Sequence, residues 1–160
     1  MSNEDITRRS FVGIAAAGLT AAAAGTAEAQ QVVETNVDIK TPDGTCDAAF
    51  IHPSTGAHAA VIIWPDAFGL RQSMRDMGKR LALDSGYSVL VVNPFYRVAK
   101  GTVYPNAATV DFQAERAKLT PLMGSIGAAG TVEKDAPAFV AWLDSQPQVD
   151  KTKKSGSQGY

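Results

Sequence analysis

Hydrophobic and polar positions along this chain change rhythm several times, and each rhythm predicts an element. Residues 32–41, VVETNVDIKT, alternate partially and are rich in β-branched side chains; Pro42, Asp43 and Gly44 read as a turn, and CDAAFIHP resumes an extended pattern. Together these predict an N-terminal β-hairpin. Residues 59–64 are apolar without alternation and stop at Pro65, which predicts a strand buried on both faces, as in a parallel sheet. After Gly69, Leu70, Met74, Met77 and Leu81 recur at helical spacing, with Arg71, Arg75, Asp76, Lys79 and Arg80 on the other side and Gly86 placed to stop the helix. A second buried run, residues 88–95, completes a βαβ unit whose crossover is expected to be right-handed.

Beyond Arg97 the rhythm weakens. VAKGTVYPNAATV reads as loop, DFQAERAKLT as helical, and PLMGSIGAAG as a glycine-rich connector without a phosphate-binding pattern. TVEKDAPAFVAWLDSQ then puts Val132, Ala136, Phe139, Val140 and Leu143 on one face of a helix, with Pro137 expected near its first turn. VDKTKKSGSQGY is expected to be the following strand.

Composition changes the picture at the N-terminus. Hydrophobic residues make up 45% of the 160, a globular proportion, but an alanine-rich run between Phe11 and Ala29 inflates it. That run follows Arg8 and Arg9 and ends in Ala27-Glu28-Ala29, a small-x-small pattern, so residues 1–29 resemble a twin-arginine secretion signal cleaved after Ala29. The resemblance implies passage through the twin-arginine translocase to a periplasmic or secreted location, with no stable membrane anchor. Without residues 1–29, Lys+Arg falls from 15 to 13 and Asp+Glu from 16 to 13, so the remainder is near neutral. Nucleic-acid binding, which draws on a basic excess, is not expected. A single cysteine, Cys46, excludes an internal disulfide framework and a multi-cysteine zinc site, and no metal or organic cofactor is expected. Cys46 itself reads as a small buried hydrophobe, and His52 and His58 as surface histidines.

Four stretches carry a further resemblance: DGTCDAAFIHP in the hairpin, PDAFGL after the first buried strand, GYSVLVVNPFYR through the second, and GSQGY at residues 156–160. In their order and spacing they resemble the dienelactone hydrolase family over essentially all of residues 30–160. The implied fold is an α/β-hydrolase fold, incomplete here: an N-terminal β-hairpin, then a three-layer sandwich with a mostly parallel sheet, truncated just before the nucleophile elbow. Matching Gly159 and Tyr160 to the first positions of a Gly-x-Cys-x-Gly-Gly elbow puts the nucleophilic cysteine at the next residue, with the rest of a Cys, Asp, His triad later still.

The resemblance also implies roles on the residues present. The backbone N–H of Ala67 would be half of an oxyanion hole. Asp66 stands where the family usually has a glutamate that meets the nucleophilic thiol. A carboxylate there would take the thiol's proton; one methylene shorter than glutamate, Asp66 would reach the thiol through a water or only cap the helix. Arg97 would hold a substrate carboxylate in its planar fork, the plain alternative being a strand-end ion pair. Phe68 and Tyr96, with Phe95, would wall the pocket, a place that core packing explains nearly as well. The expected function is hydrolysis of a carboxylate-bearing ester or lactone by acyl transfer to cysteine, the 160 residues alone being inactive. The alternative is a non-catalytic periplasmic module that binds small acids.

Overall fold

The computed structural model describes residues 31–160; the predicted signal, residues 1–29 with Arg8 and Arg9, lies outside the described residues. β-Branched side chains and a two-residue Pro42-Asp43 turn shape the hairpin of β1 (Val32–Thr41) and β2 (Gly44–Pro53), paired antiparallel from Val32 opposite Pro53 to Thr41 opposite Gly44. The two continuous apolar runs form β3 (Ala60–Trp64) and β4 (Ser88–Val92), joined by α1 (Gln72–Ser85) and paired parallel. Gly86 ends α1 in the left-handed region and donates its N–H to Ala82 O at 3.1 Å. With β5 (Gly156–Gly159) the sheet has five strands in the order β1-β2-β4-β3-β5.

Strand alternation sorts the core onto two faces. Phe50, Ile62, Leu90 and Val92 lie in one buried cluster with Phe139 and Leu143 of α3 (Thr131–Asp144), whereas Ile51, Ile63, Val89 and Val91 lie in the other with Met74 and Ala82 of α1. This is the three-layer arrangement expected, with the sheet in the middle. Each large side chain so buried stabilises the fold by about 1.5–3 kcal/mol. A third cluster joins Phe95 and Tyr104 to Leu119 and Leu122 of α2 (Arg116–Gly127) and holds the chain that follows β4 against the carboxyl end of the sheet.

Several expectations are corrected. The second buried run ends at Val92 rather than residue 95, because Asn93 turns the chain: its Oδ1 accepts the Phe95 N–H at 2.9 Å, and Pro94 has no N–H for a ladder. The glycine-rich connector is mostly helix, α2 running through Pro121, since Leu119 and Leu122 gain a buried partner surface that outweighs weak local propensity. The predicted helical start at residue 111 is instead a turn in which Asp111 Oδ1 accepts from Gln113 N and Ala114 N. On α3 the buried stripe is Thr131, Asp135, Phe139 and Leu143, Val132 is 52% exposed, and Pro137 lies in the second turn. The apolar face of α1 packs as expected, with Leu70 and Met74 buried and Met77 and Leu81 half-buried against them, but Arg71, expected on the polar side, is buried too. The last strand covers only residues 156–159, because Asp150 starts a turn, its Oδ1 accepting the Thr152 N–H at 3.0 Å. His52 is buried rather than superficial, its ring 5.0 Å from that of Phe50. Cys46 is fully buried, as expected.

Candidate functional site

The loop after β3 starts where an open α/β sheet presents its carboxyl end, the usual place for ligands. Asp66 organises it. Its Oδ1 accepts the Phe68 N–H at 3.0 Å, its carbonyl accepts the Gly69 N–H at 2.9 Å, and its two carboxylate oxygens take Arg71 Nη1 at 2.5 Å and Nη2 at 2.8 Å. Burial alone would raise the Asp66 pKa, but the Arg71 hydrogen bonds and the Phe68 N–H outweigh it and hold the carboxyl below the usual carboxylate range. Asp66 is therefore a gripped anion, not the helix cap: the N-cap of α1 is Arg71, with no side-chain capping bond. Gly69 is required here, at φ 71°, because a Cβ would stand 2.6 Å from the ring of Phe95.

Inside this frame the Ala67 N–H meets no acceptor among the described residues. A half-buried amide left unbonded by its own loop is available to an anion arriving from outside. Phe68 packs 6.0 Å from the Tyr104 ring and 5.6 Å from Phe112, with the Arg71 guanidinium 5.6 Å from its centroid.

A second group of residues sits after β4. Tyr96 is buried, and its hydroxyl lies 2.7 Å from Asp135 Oδ1 and 2.7 Å from Thr41 Oγ1. Burial, with the Asp135 carboxylate beside it, pushes the phenol up to about 12. Arg97 lies over the Tyr96 ring, 4.4 Å from its centroid, and is gripped twice: Nη1 and Nη2 donate to the two oxygens of Asp135 at 3.0 and 2.8 Å, while Nε and Nη2 donate to Asp43 Oδ2 at 3.1 and 2.9 Å. Four of the five guanidinium N–H groups are thus engaged, and no free pair is left for a bidentate partner.

A cavity of about 620 Å³ opens between the ends of β3 and β5 and helices α2 and α3. Trp64, Pro65, Met123 and Ile126 supply apolar wall, and Arg97 and Asp135 supply its charge. Trp64 Nε1 donates to Ser157 Oγ at 3.0 Å, and the Tyr160 N–H to Trp64 O at 3.2 Å, so β5 delivers its end to the same rim. Of the residues singled out in the sequence, Arg97 lines this cavity; Asp66, Ala67, Phe68 and Tyr96 do not, although Pro65 connects the Ala67 loop to it. The sequence reading missed Asp135 and Asp43. Asp135 left a signal, a carboxylate in the apolar i, i+4 stripe with Phe139.

Among the described residues no group of His, Cys, Asp and Glu side chains is arranged to hold a metal ion, and no helix is long and apolar enough to cross a membrane.

The structure resembles that of the dienelactone hydrolase-like promiscuous phosphotriesterase P91 from metagenomic libraries, with a TM-score of 0.61 and 24% identity over 81% of this chain and 49% of that one. It also resembles m3DLH, with a TM-score of 0.62 and 22% identity over 81% and 49%. A cold-adapted esterase from an Arctic intertidal metagenomic library matches with a TM-score of 0.55 and 12% identity over 80% and 50%. The chain thus spans about half the length of these structures. No curated protein matches it. The family model for the dienelactone hydrolase family matches residues 46–160, and the chain belongs to that family.

Proposed function

We propose that the protein carrying these residues is a hydrolase of carboxylic esters or lactones acting through a thiolate, and that residues 31–160 supply its sheet, the loop of its oxyanion hole and one wall of its pocket. The observation that carries this reading is the unbonded Ala67 N–H, held on the clamped loop after β3 next to the rim where β5 ends. A thiolate on the residue following Tyr160 would attack the substrate carbonyl carbon. The carbonyl oxygen would take up the negative charge beside the Ala67 amide, the bond to the alkoxide would break, and water would then cleave the thioester and restore the thiol. In a lactone the alkoxide remains tethered to the acyl group.

Asp66 is better suited to hold the loop than to accept a proton, because Arg71 has already taken both its oxygens. A carboxylate on the substrate, as the family resemblance implies, would find the Arg97 fork filled, and this weighs against the small-acid-binding alternative as well. Export by the twin-arginine route belongs to the same proposal, on the strength of Arg8, Arg9 and the Ala27-Glu28-Ala29 pattern.

Hydrolysis of p-nitrophenyl acetate tests the reading. The 160-residue chain should show no turnover above buffer, and the product of a reading frame that continues past Tyr160 into Cys should turn over. Turnover by the 160 residues alone, or its lack in the longer product, would overturn it. For export, Arg8→Lys with Arg9→Lys should trap the protein in the cytoplasm on cell fractionation.

A further inference from the structure

The cavity beside β3 has one cationic side chain in its wall, Arg97, and one anionic one, Asp135. These are bonded to each other through two hydrogen bonds, and Asp43 takes the adjacent Nε–Nη2 edge of the guanidinium. Lys134 stands 3.7 Å from Asp43 on the outer side of this group and outside the cavity lining. Asp135 is 4% exposed and takes a further hydrogen bond from Tyr96, so it is fixed in place. The rest of the wall, from Trp64, Pro94, Met123 and Ile126, is largely apolar.

We infer that Asp135 sets the substrate class of this cavity: by filling the Arg97 fork it makes the pocket accept an uncharged, apolar portion of an ester and reject a carboxylate. The inference rests on the hydrolase reading for the word substrate, but the binding preference stands on the cavity alone. An entering carboxylate would lose its water beside Asp135 and gain at most one remaining Nη1–H, an exchange that does not repay desolvation of the ion. A methyl ester of the same length gives up little hydration and gains the apolar wall.

A matched pair of ligands decides this on the full 160-residue chain at neutral pH: dimethyl adipate and the adipate dianion. The Trp64 indole N–H resonance, from a side chain in the cavity wall, reports occupancy. Dimethyl adipate is expected to bind at least about tenfold more tightly than adipate, a difference of about 1.4 kcal/mol. Asp135→Asn should tighten adipate binding and bring the pair within about threefold of each other, half a decade of affinity. Equal or tighter binding of adipate by the unaltered chain would overturn the inference, as would an unchanged ratio in Asp135→Asn or no shift of Trp64 with either compound. Should Asp135→Asn fail to fold, the ratio in the unaltered chain is decisive. Turnover plays no part in this readout. A longer protein that failed to hydrolyse esters would sink the hydrolase reading and leave the preference standing, whereas a preference for adipate would sink only the latter.

Discussion

Arg71 reaches back five residues to grip both carboxylate oxygens of Asp66, at 2.5 and 2.8 Å, so a side-chain fork closes the loop that follows β3. Both residues belong to the same short stretch, yet one opens the loop and the other begins α1. The pair sets the angle at which the strand hands over to the helix, and with it the direction of the Ala67 amide.

Asp66→Asn is expected to destabilise the fold by only about 1 kcal/mol, because the carboxylate is partly exposed and solvent screens it. Its clearer mark is on pH dependence. A carboxyl whose folded pKa lies below its unfolded value stabilises at pH above the unfolded pKa, about 3.9, and that contribution disappears as pH falls through the lowered folded pKa. Glu34, lowered against burial by Lys79 and Arg75, behaves alike. Chemical denaturation across pH 2 to 6 should therefore show a shallower acid limb in Asp66→Asn than in the unaltered chain.

Gly69→Ala and Gly78→Ala should differ in cost. At Gly69 a Cβ meets both a positive φ and the buried Phe95 ring at 2.6 Å, and a loss of about 2–4 kcal/mol is expected. At Gly78 the backbone is helical and the nearest atom is the end of Ile51, at 2.8 Å. Helix propensity there returns about 1 kcal/mol against an overpacking cost of about 1–3, for a net loss near 1 kcal/mol. Urea midpoints measured side by side would check the order.

Cys46 should be silent to thiol reagents in the folded protein. Burial pushes its pKa up to about 12, outweighing a backbone hydrogen bond at Asn93 that lowers it, and the Asp47 charge adds to the rise, so almost no thiolate forms near neutral pH. Ellman's reagent at pH 8 is expected to label none of the native chain and one thiol per chain in guanidinium. Because this group's folded pKa is raised, the stability tied to its proton is complete below the unfolded pKa, about 8.5, and is lost as pH climbs toward about 12. Cys46→Ala should flatten that alkaline loss, leaving the later one due to Tyr96.

Arg97→Ala is expected to behave as a folding defect before it behaves as a binding defect. It leaves the buried Asp135 carboxylate without its counter-ion, a loss of about 3 kcal/mol or more. Replacing both partners, Arg97→Met with Asp135→Leu, should recover most of that stability, since apolar groups of similar volume need no pairing. Thermal melts of the single and double variants give the comparison.

Wherever continuous apolar runs and a turn residue agreed, the elements were legible in the sequence: the hairpin, β3, α1 with its Gly86 stop, and the core of β4. Their signals are local and reinforce one another. The first residues of α2, 116–120, were legible, but its continuation was not, because Pro121, Gly124 and Gly127 argue against a helix and only the distant surface of Phe95 and Tyr104 argues for one. Candidate site residues divided in the same way. The loop carrying Asp66 and Ala67 is a local feature and was placed correctly after β3, but the partners of Arg97 lie 54 and 38 residues away in the chain, at Asp43 and Asp135. Spacing says nothing about such pairs. Only the misplaced carboxylate in the apolar stripe of α3 hinted at one.

The place of β2 in the sheet has a consequence for biosynthesis. Its neighbours are β1, made just before it, and β4, made only after β3 and α1. A nascent hairpin leaving the ribosome therefore presents β2 with one unpaired edge until Val89 and Leu90 emerge to pair with Ile51 and Phe50. During that interval the hairpin offers a sticky, chaperone-binding strand, and slowing translation between Pro53 and Ser88 should raise the yield lost to aggregation.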